Sequence, residues 1–203
     1  MPINASLSLS NCFEQGLTYD EYRKGHTAKI EHEKSLPAEQ QDKYLHYIEL
    51  NLHRTERIEK TFTPTEETMQ SIAHLTQPVR WLVLSEYWCG DAAQNVPALA
   101  AIAKASEGKI TMRLLYRDQH PELMNAFLTN GTRSIPKLIQ MDVQGQLLNT
   151  WGPRPAEAQQ LVIELKANPQ TADTYAEQLH LWYARNRSAD LQQEIISLLS
   201  TVK

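Results

Sequence analysis

Three short apolar runs, each leading into a new local pattern, constrain this chain more than any other feature. VRWLVLSEYW at 79–88 and ITMRLLYRD at 110–118 have the length and the β-branched and aromatic content of strands buried on both faces. KLIQMD at 137–142, the turn VQGQ, and LLNTW at 147–151 form the pattern of an antiparallel hairpin. The segments between and around them have helical periodicity. TPTEETMQSIAHL at 63–75 opens on a Thr/Pro start signal and spaces Met69, Ile72 and Leu75 along one face. After residue 88, a face made by Val96, Leu99, Ile102 and Ala103 runs to a stop near Gly108. Pro121 opens PELMNAFLTNG, which Asn130 and Gly131 close, and PAEAQQLVIELKA follows the hairpin. The order is helix, then βαβα, then ββα. It predicts an α/β fold in which right-handed crossovers put helices on both faces of a central mixed sheet.

Helical patterning continues on either side. Residues 37–60 start at a proline and carry Leu45, Ile48, Leu52 and Ile58 on one stripe, with Glu, Lys and Arg on the solvated face. Toward the other end, Leu179, Trp182 and Tyr183, then Leu191, Ile195, Leu198 and Val202, predict two helices separated near 186–188. The expected organisation is a helical N-terminal extension (1–60), an α/β core (61–167) and a helical C-terminal extension (168–203), packed as one unit.

Charge and composition narrow the function classes. With 41% apolar residues and a formal net charge of −4, the 203-residue chain is globular in composition and has no bulk attraction for nucleic acid or anionic membrane. The first residues show no basic stretch leading into an apolar one, and no apolar run is long enough to span a bilayer, so the expected location is cytoplasmic. Seven histidines are scattered without an HxxxH pair, and no glycine-rich phosphate loop occurs, so neither a metal nor a cofactor is expected. The two cysteines, Cys12 and Cys89, are too few and too far apart in sequence for a disulfide framework.

Cys89 stands where the first strand hands over to a helix. There, unsatisfied amides and the positive end of the helix dipole favour thiolate over thiol, which predicts a lowered pKa and a reactive sulfur. The crevice at the carboxyl ends of strands is also where open α/β sheets bind ligands. For Cys12 to serve as a resolving thiol, its Cα would have to come within ~7 Å of that of Cys89. An unrelated, half-buried cysteine is the simpler expectation.

The stretch EYWCGDA, together with RSIP at 133–136 just before the hairpin, resembles the thioredoxin superfamily. The match covers about residues 61–167, with the elements in thioredoxin order. WCGDAAQNVPAL, LTNGTRSIPKLI and WGPRPAEAQ are similar to bacterial thioredoxin-like proteins. The resemblance implies a thioredoxin-like fold, Cys89 as the reacting thiol, and Pro136 as a cis proline that sets Ser134 and Ile135 against the sulfur. It further implies that Trp88, Gly90, Asp91, Ile135 and Pro136 meet the partner, a protein or a low-molecular-weight thiol or disulfide.

The departures from that pattern matter as much. Ala92 replaces the second cysteine, so no dithiol cycle is available within the motif. Val83 stands where thioredoxins carry a buried carboxylate, and Leu114 where they carry a basic residue. Asp91 replaces a proline and opposes thiolate formation, while also suiting the first turn of a helix. Glu86, Arg117 and Arg133 are candidates for the crevice or simply solvated. Two functions are therefore expected of such a chain: redox exchange through the single thiol of Cys89, or a binding module or thiol sensor that keeps the groove without catalysis.

Overall fold

The structure, a computed structural model, describes residues 8–202. Helices α1 (Leu9–Gln15), α2 (Tyr19–Ser35), α3 (Leu45–Thr61) and α4 (Glu66–Ala73) lead into strand β1 (Val79–Ser85). The chain then passes through α5 (Gly90–Ala105), β2 (Ile110–Tyr116), α6 (Pro121–Ala126), β3 (Lys137–Asp142) and β4 (Leu147–Trp151). It closes with α7 (Ala156–Ala167), α8 (Tyr175–Asn186) and α9 (Ala189–Leu199).

The sheet has the order β2-β1-β3-β4, with β1 parallel to β2, antiparallel to β3, and β3 antiparallel to β4. This is the mixed sheet that the alternation predicts. β1 is central because residues 81–84, Trp-Leu-Val-Leu, are wholly inaccessible to solvent and have apolar layers on both sides. Its register with β3 pairs Leu84 with Lys137, so the turn leaving β1 and the residues entering β3 lie at one end of the sheet. That register brings Cys89 and Pro136 together.

Several boundaries differ from the sequence-based expectations, each for a local reason. β1 stops at Ser85, whose hydroxyl bonds the phenol of Tyr22 at 2.9 Å, and residues 86–89 turn so that the Cys89 amide donates to the Glu86 carbonyl. Pro37 starts only a 3-10 turn, Ala38–Gln40. α3 begins at Leu45, after Asp42 has accepted the Tyr44 amide on its side chain and the Leu45 amide on its carbonyl. α6 ends at Ala126, because the chain needs a tight Thr129–Thr132 turn with Asn130 and Gly131 at positive φ. On α4 the buried face contains Thr68 and Ile72, while Met69 is exposed; the Thr68 hydroxyl donates to Gln192 of α9 at 3.0 Å. α1 and α2 precede the stripe at 37–60, within the stretch expected to be a helical extension. A capping box of Thr18 and Glu21 starts α2, and Leu17 bridges to Leu114 at the outer edge of β2.

A single apolar core runs from Leu9 and Phe13 of α1, through the sheet and α5, to Leu191, Ile195 and Leu199 of α9. A second, smaller cluster of Ala158, Val162, Leu179 and Tyr183 joins α7 to α8. Among the described residues, no helix is long and apolar enough to cross a membrane. One polar side chain bridges the layers of the main core. Gln140 is fully buried, accepts the indole N–H of Trp81 at 2.9 Å and donates to the Leu198 carbonyl at 3.3 Å. Gln140→Leu strands the buried Trp81 N–H, at about 1–3 kcal/mol, while the Leu198 carbonyl keeps the Thr201 hydroxyl at 2.7 Å. Urea denaturation should show a loss of about 1–3 kcal/mol with an unchanged slope.

Candidate functional site

Cys89 caps the N-terminus of α5, as its position in the sequence predicts. Its Sγ accepts the Ala92 amide at 3.4 Å. The same sulfur donates its proton to the Ile135 carbonyl at 3.2 Å, and the residue is only 7% exposed. The expectation of a lowered thiol pKa is therefore corrected. Burial, followed by the negative charge of Asp91, pushes the Cys89 thiol up to about 12, against the opposing pull of the Ala92 and Asp91 amides and of Arg154. Losing water costs the thiolate more than one helix terminus returns. Cys12 lies half-buried on α1, and both cysteines are free thiols.

The Ile135–Pro136 peptide is cis, and Ile135 is buried against the sulfur through its carbonyl. A second cis bond, Gly152–Pro153, was not anticipated. Gly152 has φ +107°, and a Cβ there would lie 2.2 Å from the Pro136 carbonyl oxygen, so only glycine lets this segment lie on the Pro136 turn. The contact aims Arg154 at Asp91.

Asp91 is the centre of the site. It is 9% exposed, and its carboxylate accepts Arg154 Nε at 3.1 Å, a second bond from Arg154 Nη2, and the Tyr183 hydroxyl at 2.8 Å. Asn95 donates to the Asp91 carbonyl at 2.9 Å and to the Tyr183 oxygen at 3.0 Å, while Arg154 Nη1 reaches Gln159. A first-turn aspartate was legible in the sequence, but Arg154, Asn95 and Tyr183 were missed. Arg154 and Tyr183 stand 63 and 92 residues from Asp91 in sequence, which leaves no local signal that they meet it.

The remaining candidates divide between two clefts flanking Trp88. Gly90 lies beneath His180 and Arg54: a Cβ there would be 3.0 Å from the imidazole and 3.4 Å from the guanidinium. Burial, then the Arg54 charge, brings His180 down to about 4, so it is neutral near pH 7. These residues, with Asp91 and Arg154, line a cleft of about 520 Å3. Trp88 is half-buried, packs on Tyr44 at 5.6 Å between centroids, and carries the Arg117 guanidinium over its ring at 4.7 Å. Glu86 accepts the Asp118 amide at 2.9 Å, whereas Arg133 is exposed and bonds Asn125, away from the sulfur. Val83 and Leu114, the two apolar departures, are register partners across β1 and β2 and are fully buried.

The thioredoxin family model matches residues 38–168. Among solved structures, a protein described as of unknown function from Pseudomonas aeruginosa superposes with a TM-score of 0.62 at 17% identity, covering 97% of this chain and 99% of its own. A scaffold described as carrying an HIV epitope superposes with a TM-score of 0.59 at 16% identity, covering 97% of this chain and 100% of its own. At such identities these likenesses speak to the fold alone. No curated protein matches the chain.

The Asp91 network makes a direct prediction. Arg154→Met removes the cation from a nearly buried carboxylate and should cost about 3–5 kcal/mol in chemical denaturation. The double variant Asp91→Asn/Arg154→Met should recover much of that loss. A double-mutant cycle showing no coupling would mean that Asp91 is solvated.

Proposed function

The chain belongs to the thioredoxin family, and from that premise we propose that it is a thioredoxin-fold recognition module. In this reading it receives an extended partner segment at the Trp88 and Pro136 surface and keeps Cys89 as a guarded, protonated thiol. One observation carries the proposal: the Cys89 sulfur is almost inaccessible and already donates its proton to the Ile135 carbonyl. A sulfur that must first lose a hydrogen bond and gain exposure suits a slow sensor or a passive anchor better than a nucleophile that turns over. The absence of a neighbouring thiol at Ala92 and of charge at Val83 and Leu114 supports the same reading.

The second reading, monothiol exchange, is favoured by the Ala92 amide aimed at Sγ at 3.4 Å. In that reaction the Cys89 sulfur bonds one sulfur of a partner disulfide. The other partner sulfur leaves as a thiol carrying the proton that Cys89 gives up, with no net electron transfer. An external thiol would then release Cys89.

The rate of thiol alkylation separates the two. Raising the thiol pKa from 9.0 to about 12 leaves roughly a thousandfold less thiolate at neutral pH. Iodoacetamide should therefore modify Cys89 about that much more slowly than a free thiol, with a rate that climbs through the alkaline range. A neutral-pH rate equal to or above that of a free thiol would favour exchange. Asp91→Asn removes the second cause of the shift and should speed the reaction.

Ala92→Cys is the companion test. It places two sulfurs one helical turn apart, within disulfide range; a guarded Cys89 should leave both thiols free under mild oxidation, and a ready internal 89–92 bond would favour exchange. Two free thiols after oxidation would show that the Cys89 turn does not open. In that case exchange through Cys89 should be discarded.

A further inference from the structure

The second cleft beside Trp88 has a volume of about 580 Å3, and Cys89 does not contribute to its lining. Its walls include Tyr44, Tyr87, Trp88 and Tyr116. The hydroxyls of Tyr87 and Tyr116 are bonded to each other, and Tyr87 also donates to the Tyr22 carbonyl at 2.9 Å, so these rings offer faces more than donors. Two rings at this site already attract cations of the chain itself: Lys43 sits 4.9 Å from the Tyr44 centroid and Arg117 4.7 Å from that of Trp88.

The charges lining the cleft are nearly all accounted for. Lys29 pairs with Glu33 at 2.8 Å and Asp42 at 3.3 Å, and Arg117 pairs with Asp118 at 2.7 Å. Glu86 and Lys43 are the exceptions among the described residues, and Lys43 lies over the exposed Tyr44 ring instead of meeting a carboxylate. One carboxylate oxygen of Glu86 accepts the Asp118 amide, whereas the other has no hydrogen bond and the side chain makes no ion pair among the described residues. Burial, helped by the neighbouring Asp118 charge, holds it above the usual carboxylate range. A half-buried carboxyl group that feels the Arg117 charge but makes no ion pair, in a cleft with aromatic walls, has the chemistry that recognises an organic cation. The cleft lining carries three carboxylates, Asp42, Glu86 and Asp118, against two lysines, Lys29 and Lys43, of which Lys29 is already paired with Asp42.

We propose that this cleft binds an alkylammonium or guanidinium group, with Glu86 as the counter-charge and Tyr44, Trp88 and Tyr116 as walls. The site goes beyond the reading of Cys89 and does not depend on the reactivity of that thiol. The cation has two possible sources, a lysine or arginine side chain of a bound polypeptide or a free polyamine.

The test follows the Trp88 indole N–H resonance of the full chain during titration with Nα-acetyl-lysine methylamide, its arginine and norleucine counterparts, and spermidine. At least one cation should shift that resonance saturably, and the neutral norleucine compound should bind about tenfold more weakly or not at all. Saturation by the capped amino acids but not by spermidine identifies a polypeptide side chain. Tighter binding of spermidine identifies a polyamine. Glu86→Gln should weaken each bound cation about tenfold. Tyr44→Leu, at an exposed position, should weaken it as well. Cys89→Ser should leave binding intact, which separates this site from the thiol reading. Equal binding of norleucine, unchanged binding in natively folded Glu86→Gln or in Tyr44→Leu, or no saturable shift with any cation would each overturn the proposal.

Discussion

A carboxylate with little access to water must find its compensation inside the protein, and the way Asp91 does so ties this structure together. Its charge sits in the first turn of α5, where a helix terminus contributes about 0.3–1 kcal/mol, too little to offset burial. The rest comes from Arg154 in the loop after β4, from Tyr183 on α8, and from Asn95, which bonds the Asp91 carbonyl and the Tyr183 oxygen. Three parts of the chain remote in sequence are thereby held around the Cys89 turn. Gly152 serves the same end by letting the loop approach the Pro136 carbonyl closely enough for Arg154 to reach its target.

The same arrangement explains why the cysteine keeps its proton. A helix N-terminus is a weak, local source of positive potential, whereas desolvation acts on the whole thiolate charge. Asp91 adds a negative charge nearby, which Arg154 only partly answers. The Ile135 carbonyl then rewards the thiol form specifically, since it accepts a proton and repels an anion. Burial, the Asp91 charge and the Ile135 acceptor thus favour the thiol, and the Ala92 and Asp91 amides together with Arg154 are outweighed.

Much of this architecture was legible because its signals are short-ranged. The strands at 79–85, 110–116, 137–142 and 147–151 are continuous apolar or alternating runs, and Pro121, Gly108 and the turn at 143–146 punctuate them. Trp88, Cys89, Gly90, Ile135 and Pro136 also come together as the motifs indicated, because the β1–β3 register leaves them little freedom. What could not be read depends on the third dimension. Whether a sulfur at a helix terminus is wet or dry is decided by Ile135 and the surrounding chain. Nothing around Arg154, Tyr183 or His180 in sequence reveals that each ends within reach of the Asp91 turn. Thr68 and Met69 illustrate the same limit on α4: periodicity favoured the methionine, and a hydrogen bond to Gln192 selected the threonine.

The small apolar cluster between α7 and α8 has a dynamic consequence. Those helices bury their apolar residues chiefly against each other, and α8 reaches the Cys89 turn through polar groups, Tyr183 on Asp91 and His180 beside Gln94. Such a pair is a natural unit of sub-global opening, with amide protons that exchange at a lower free energy than those of β1. Tyr183 would leave with it, and Arg154, which directly precedes α7 in the chain, would lose its fixed aim. The Asp91 anchor beside Cys89 thus rests in part on a peripheral helical pair rather than on the sheet.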